Sequence, residues 1–132
     1  ASQNIVPVTL ELGGKSPNIF FEDIFDREDD FADKCMEGFA MFSLNKGEVC
    51  TSPTRALVHE NVYDQFMEKA LARVAKITVG NPLELSTMMG PQASEEQFKK
   101  VLSYVDIGQN EGAKLRFGGK RTLPGGEMDS GY

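Results

Sequence analysis

Apolar residues in this chain recur at two different periods, and the alternation between those periods restricts the fold more than any other feature. Val6, Val8, Leu10 and Leu12 alternate with Pro7, Thr9 and Glu11, which predicts a half-buried strand from Ile5 to Leu12. Pro7 stands near its start, where a missing N–H is tolerated. Asn18 to Phe21 is a short apolar run and predicts a buried strand. Phe31, Cys35, Phe39 and Phe42 follow at helical spacing, predicting a helix from about Asp29 to Ser43 buried along that stripe. Thr54 to His59, with Ala56, Leu57 and Val58, predicts another buried strand. Tyr63, Phe66, Met67, Ala70, Leu71, Val74 and Ile77 then repeat at three and four, a strong amphipathic helix. Leu83 to Ala93 reads as an irregular connection. Ser94 to Gln97 has capping-box spacing, and Phe98, Val101, Leu102 and Val105 predict a further helix ending near Gly108 or Gly112. Lys114 to Phe117 predicts a short strand. Strands alternating with helices favour an α/β fold with a mainly parallel sheet and flanking helices.

The sharpest break in the pattern is Asn45-Lys46-Gly47-Glu48-Val49-Cys50-Thr51, which puts a cysteine on a glycine-containing turn. Glycine accepts backbone angles closed to other residues, so a tight turn at Gly47 suits the presentation of the next side chains. Thiolate is the nucleophilic form of cysteine, and position and electrostatics decide whether it is reached. A buried structural cysteine beside an ordinary turn is the other reading, and the segment alone leaves both open. Cys35 lies on the helix stripe and reads as a packing residue. Glu11 ends the first strand just before Gly13-Gly14, a position where α/β sheets place chemistry. A solvated strand-end glutamate is the plainer alternative.

Composition removes several classes of function. A chain of 132 residues is about one domain. Its net charge of −6, with Lys and Arg scattered, argues against binding nucleic acid or an anionic membrane. No apolar run approaches the roughly 18 residues that span a bilayer. The acidic residues Glu22, Asp23, Asp26, Glu28, Asp29 and Asp30 lack calcium-loop spacing and read as favourable charge at a helix start. His59 is the single histidine, which excludes a multi-histidine metal site, and it reads as an exposed edge residue. Two cysteines without a visible signal peptide favour reduced thiols and a cytoplasmic location. The chain opens on a strand without a starter methionine and stops in a turn-rich stretch at Tyr132, so it is expected to be a piece of something larger.

Two stretches are recognisable. Leu10-Glu11-Leu12-Gly13-Gly14-Lys15-Ser16-Pro17 resembles the glutamate signature of the aldehyde dehydrogenase superfamily. Phe42 to Arg55, containing Asn45-Lys46-Gly47-Glu48-Val49-Cys50, resembles its cysteine signature. They occur in that order, with Cys50 39 positions after Glu11. The similarity continues through Tyr63-Asp64-Gln65-Phe66, Gly80-Asn81-Pro82 and Met89-Gly90-Pro91.

The resemblance implies a parent enzyme that oxidises a small-molecule aldehyde to a carboxylic acid with NAD or NADP. Cys50 would attack the aldehyde carbon, giving a thiohemiacetal and, after hydride loss to the nicotinamide, a thioester. Glu11 would be the general base for the water that hydrolyses it. The Cys50 backbone N–H is a candidate oxyanion donor, and the Leu12-Gly13 backbone would lie beside the nicotinamide. Residues 1–14 would close the cofactor-binding domain, and 15–132 would form part of the catalytic domain. No glycine-rich cradle for a pyrophosphate occurs here, so the piece alone is expected to bind no cofactor and not to turn over. Its unpaired first strand is expected to be displaced, disordered or paired with another copy, which makes a homo-oligomer.

Four positions depart from the commonest family pattern. Glu48 and Lys46 stand where glutamine is common, and Ser43 and Ser52 replace apolar residues. A carboxylate two residues from the nucleophile opposes thiolate formation if the side chains approach, and Lys46 would offset it. Two rivals stay open. One is a cysteine hydrolase in which Glu11 helps Cys50 cleave an activated ester, though no histidine partner is evident. The other is a noncatalytic scaffold with an inert Cys50.

Overall fold

Parallel strands need a crossover between them, and here the crossover is a helix. β1 (Pro17–Phe20) pairs in parallel with β2 (Arg55–Val58), with Pro17 opposite Arg55, Asn18 opposite Ala56, Ile19 opposite Leu57 and Phe20 opposite Val58. α1 (Phe31–Ala40) lies between them in sequence, and α2 (Tyr63–Val74) and α3 (Glu95–Asn110) follow. The computed structural model describes residues 2–132 and, within them, every side chain but that of Leu44. The α/β architecture with a parallel sheet is as expected, reduced to two strands among the described residues.

The core sits where β1, α1 and α2 meet. Phe66 of α2 is fully buried, with Phe20, Ile24, Met36, Val62 and Ala70 around it. Its ring centroid lies 4.6 Å from that of Phe20 and 5.3 Å from that of Phe39, the latter edge-to-face. Such pairs add about 0.5–1.5 kcal/mol beyond the area they bury. Asn18 fastens β1 to α1 by donating from Nδ2 to the Gly38 carbonyl at 3.1 Å.

Residues 55–58 and 17–20 are strands, but they are not buried on both faces. Phe20 and Val58 turn toward the helices, while their neighbours Ile19 and Leu57 are each 54% exposed. Side chains alternate across a strand, and no layer covers the second face among the described residues.

The first predicted helix is shorter than its pattern. The α-helix ends at Ala40 and tightens into a 3-10 segment, Met41–Gly47. Met36, outside the predicted stripe, is the buried residue, whereas Phe31 lies at the stripe's edge beneath the Arg27 guanidinium, 5.2 Å from its ring centroid. The inward row is Ala32, Cys35, Met36 and Phe39, and a 3.6-residue period carries Phe31 off it. The acidic stretch serves the helix start from the residue before the cap: Asp29 Oδ1 accepts from the Phe31 N–H at 3.0 Å, while the N-cap residue Asp30 makes no side-chain cap bond. Arg27, and then that amide, hold the Asp29 carboxyl below its usual range. Ser94 caps α3 as its spacing predicts, accepting from the Gln97 N–H at 3.1 Å.

Two predicted strands do not form. Ile5 holds a left-handed φ of 51°, and Val6, Val8, Leu10 and Leu12 join no ladder among the described residues and are between 55% and 72% exposed. Leu115 and Phe117 are likewise exposed with no ladder among the described residues. A strand exists only where a neighbour accepts its hydrogen bonds, and the right period cannot supply one. No helix among the described residues is long and apolar enough to cross a membrane.

Truncating the fully buried ring tests the core. Phe66→Ala is expected to lower unfolding stability by about 3–5 kcal/mol in urea titrations, and Leu57→Ala on the open face by under about 1 kcal/mol. Equal losses would contradict this placement of the core.

Candidate active site

The turn before Cys50 is unusual in its backbone. Asn45, Lys46 and Gly47 have φ of 47°, 64° and 77°, three consecutive residues in the left-handed region. Asparagine tolerates that region, glycine prefers it, and a lysine there is disfavoured by about 1–2 kcal/mol. The turn closes with the Glu48 N–H donating to the Asn45 carbonyl at 3.1 Å. Beyond it Ser52, a buried polar residue, donates from Oγ to the Phe42 carbonyl at 3.2 Å, and its N–H donates to the Val49 carbonyl at 3.0 Å. Cys50 is held between these two anchors and is exposed.

Glu11 reaches the same place from the other end of the chain. The Gly14 N–H donates to the Cys50 carbonyl at 3.1 Å, which ties the glycine pair to the cysteine turn. At Gly13 the approach is closer than any side chain allows. A Cβ there would lie 2.7 Å from both the Cys50 Cβ and the Cys50 carbonyl oxygen. Glu11, Leu12, Gly13, Gly14 and Lys15 thus form one wall of an open cleft of about 440 Å³, and Gly47, Glu48, Val49 and Cys50 form the other. The glutamate and the cysteine singled out from sequence face one cleft, as do Leu12 and Gly13.

The other candidates are elsewhere. Cys35 packs against the core, and burial, followed by the Asp23 carboxylate, pushes its thiol up and away from thiolate. His59 is half-buried rather than an exposed edge residue; its Nδ1 accepts from the Asn61 N–H and lies 3.9 Å from Glu22. It does not line the cleft, so the hydrolase reading lacks its imidazole. Among the described residues no group of three His, Cys, Asp or Glu side chains is placed to hold a metal. Two features escaped the sequence reading. Lys15 lines the cleft as a cation, and Ser52 is a structural anchor. The first is signalled only by its adjacency to the glycine pair, the second by a hydroxyl two residues from a turn cysteine.

Comparison with known proteins adds an independent finding. The model of the aldehyde dehydrogenase family matches residues 1–132. An aldehyde dehydrogenase of Rhodospirillum rubrum is 62% identical over 132 residues, and acetaldehyde dehydrogenase 2 of Cupriavidus necator is 61% identical over the same length. In both cases the whole of this chain aligns with 26% of the relative, so the chain spans about a quarter of the curated relatives' length. Among solved structures, a cysteine-to-alanine mutant of aldehyde dehydrogenase C from Pseudomonas syringae, complexed with NAD+ and octanal, superposes with a TM-score of 0.78. It is 35% identical, covering 98% of this chain and 25% of that one.

The Gly13 approach can be tested without chemistry. Gly13→Ala is expected to detach the wall that carries Glu11 and speed hydrogen exchange at the Gly14 amide. Gly14→Ala, whose Cβ would meet nothing within 4 Å, is expected to leave that amide protected. Equal protection in the two variants would show that the walls do not depend on this contact.

Proposed function

The chain belongs to the aldehyde dehydrogenase family, and on that premise we propose that it carries the nucleophile and the base of an enzyme oxidising aldehydes to carboxylic acids. The observation that carries this reading is that Cys50 and Glu11 line one cleft, on walls joined by the Gly14–Cys50 hydrogen bond.

Cys50 Sγ, as thiolate, attacks the carbonyl carbon and forms a C–S bond while the carbonyl oxygen becomes an oxyanion. Among the described residues the Cys50 N–H donates to no backbone carbonyl, which leaves it free to donate to that oxygen. Hydride would then leave that carbon for a bound nicotinamide, and the oxyanion would collapse to the C=O of a thioester; Glu11 takes a proton from water, whose oxygen attacks the thioester carbon, the C–S bond breaks and Cys50 leaves as thiolate. The acyl group departs as a carboxylic acid.

The residues present fit the nicotinamide end of a dinucleotide. Gly13 and Gly14 offer bare backbone, and the Leu12 side chain, 72% exposed, gives an apolar edge against which a flat ring can lie. NAD or NADP bound there supplies the hydride acceptor. Leu12 and Gly13 are accordingly its contacts in this chain, residues 1–14 the end of the cofactor-binding domain, and 15–132 part of the catalytic domain. The 132 residues alone neither hold the dinucleotide nor turn over. The exposed apolar run Val6 to Leu12, without a ladder partner among the described residues, supports a homo-oligomeric state.

In the full-length enzyme carrying this chain, Cys50→Ala is expected to abolish aldehyde-dependent NAD(P)H formation. Glu11→Gln is expected to keep a burst of about one equivalent per site and to lose roughly 10²–10⁴ in steady-state rate. Full turnover by Cys50→Ala would end this reading. For the isolated chain, light scattering is expected to show mass rising with concentration, and a constant monomer mass would refute self-association.

A further inference from the structure

We propose that Lys46 is a positioning residue for the Cys50 thiol: it holds the Glu48 carboxylate in an ion pair and cancels its charge at the rim of the cleft. The proposal rests on the nucleophilic reading of Cys50. Lys46 Nζ stands 3.5 Å from Glu48 Oε2, and the two side chains are 18% and 29% exposed. That shields the pair better than an ordinary surface ion pair, which salt screens and side-chain entropy weakens. Backbone geometry holds both partners in place. Lys46 has a φ of 64°, a conformation L side chains rarely adopt, inside a turn closed by the Glu48 to Asn45 hydrogen bond. A lysine kept there against local preference, with its ammonium directed back on the residue two positions along, is a specific arrangement rather than a solvated surface charge.

The charges around the cleft give the pair its consequence. Glu11 and Lys15 face Cys50 from the opposite wall, Glu48 lies on the cysteine's own wall, and Lys46 pairs with Glu48. With Lys46 the two carboxylates are balanced by two cations. Without it, Glu48 is left bare on the wall that carries Cys50, and a like charge in the same cleft opposes the thiolate. Glu11 and Lys15 are common to every variant at positions 46 and 48, so they drop out of a comparison among them.

The test is the pH profile of iodoacetamide alkylation, read on the Cys50 peptide by mass spectrometry, in the full-length enzyme carrying this chain. Lys46→Met is expected to move the profile to higher pH and slow alkylation near neutrality about three- to tenfold. Lys46→Arg keeps a cation at the same backbone position and is expected to retain the wild-type profile. Glu48→Gln is expected to match or exceed the wild-type rate, and the double variant K46M/E48Q to return within about twofold of wild type. An unchanged profile in K46M, or a double variant as slow as K46M, overturns the proposal. Should K46M prove unfolded by thermal melting, Lys46→Gln takes its place: a profile moved to higher pH supports the pair's role, and an unchanged profile overturns it. Failure of the parent reading is distinguishable, because alkylation needs no aldehyde. Aldehyde-dependent NAD(P)H formation by C50A would remove the nucleophile's role whatever the alkylation profiles show.

Discussion

The aromatic cluster around Phe66 is the constraint from which the rest of the structure follows. Phe20 brings β1 to it, Phe39 brings α1, and Phe66 itself fixes α2. Phe39 also meets Phe42 edge-to-face at 5.3 Å, and the Phe42 carbonyl accepts the Ser52 hydroxyl. A continuous run of packed rings and one hydrogen bond therefore connects the centre of the core to a point two residues beyond Cys50. The sulfur is exposed, but the backbone that carries it is anchored to the most buried part of the molecule. A candidate nucleophile placed this way is both reachable and held in place.

The opposite wall of the cleft is built by a different principle. Nothing of Glu11 to Gly14 is buried, and no sheet holds it among the described residues. It is positioned by one backbone hydrogen bond and by the absence of a side chain at Gly13, where even a methyl group would overlap Cys50. The cleft thus pairs a wall anchored to the core with a wall attached at one short contact. Charge is arranged with the same asymmetry. Glu48 is paired with Lys46 inside the strained turn, whereas Glu11 and Lys15 stand on the loosely attached side.

Much of this was legible from residues alone. The amphipathic period of Tyr63 to Ile77 located α2, and Ser94 located the start of α3, because a helix satisfies its hydrogen bonds within itself and its signals are local. The turn at Asn45-Lys46-Gly47 was visible because the break in apolar spacing and the glycine coincide. Met36 was missed because a stripe counted from Phe31 runs along the edge of the helix's buried face. Cys35 was placed correctly as a packing residue, since a thiol in a helical stripe follows the stripe.

What the sequence by itself determined was the α/β order of the elements, the choice of Glu11 and Cys50 as the candidate groups, and the family to which both signatures point. What only the tertiary structure decided was which helix face is buried, which period-two runs become strands, and whether the two candidate groups meet. Periodicity and capping are properties of neighbouring residues and can be read along the chain. A strand ladder for Val6 to Leu12, or the contact of Gly13 with a cysteine far along the chain, depends on what lies beside a segment in space. Spacing along the chain does not specify that neighbour; packing around Phe66 and the hydrogen bond from Gly14 do.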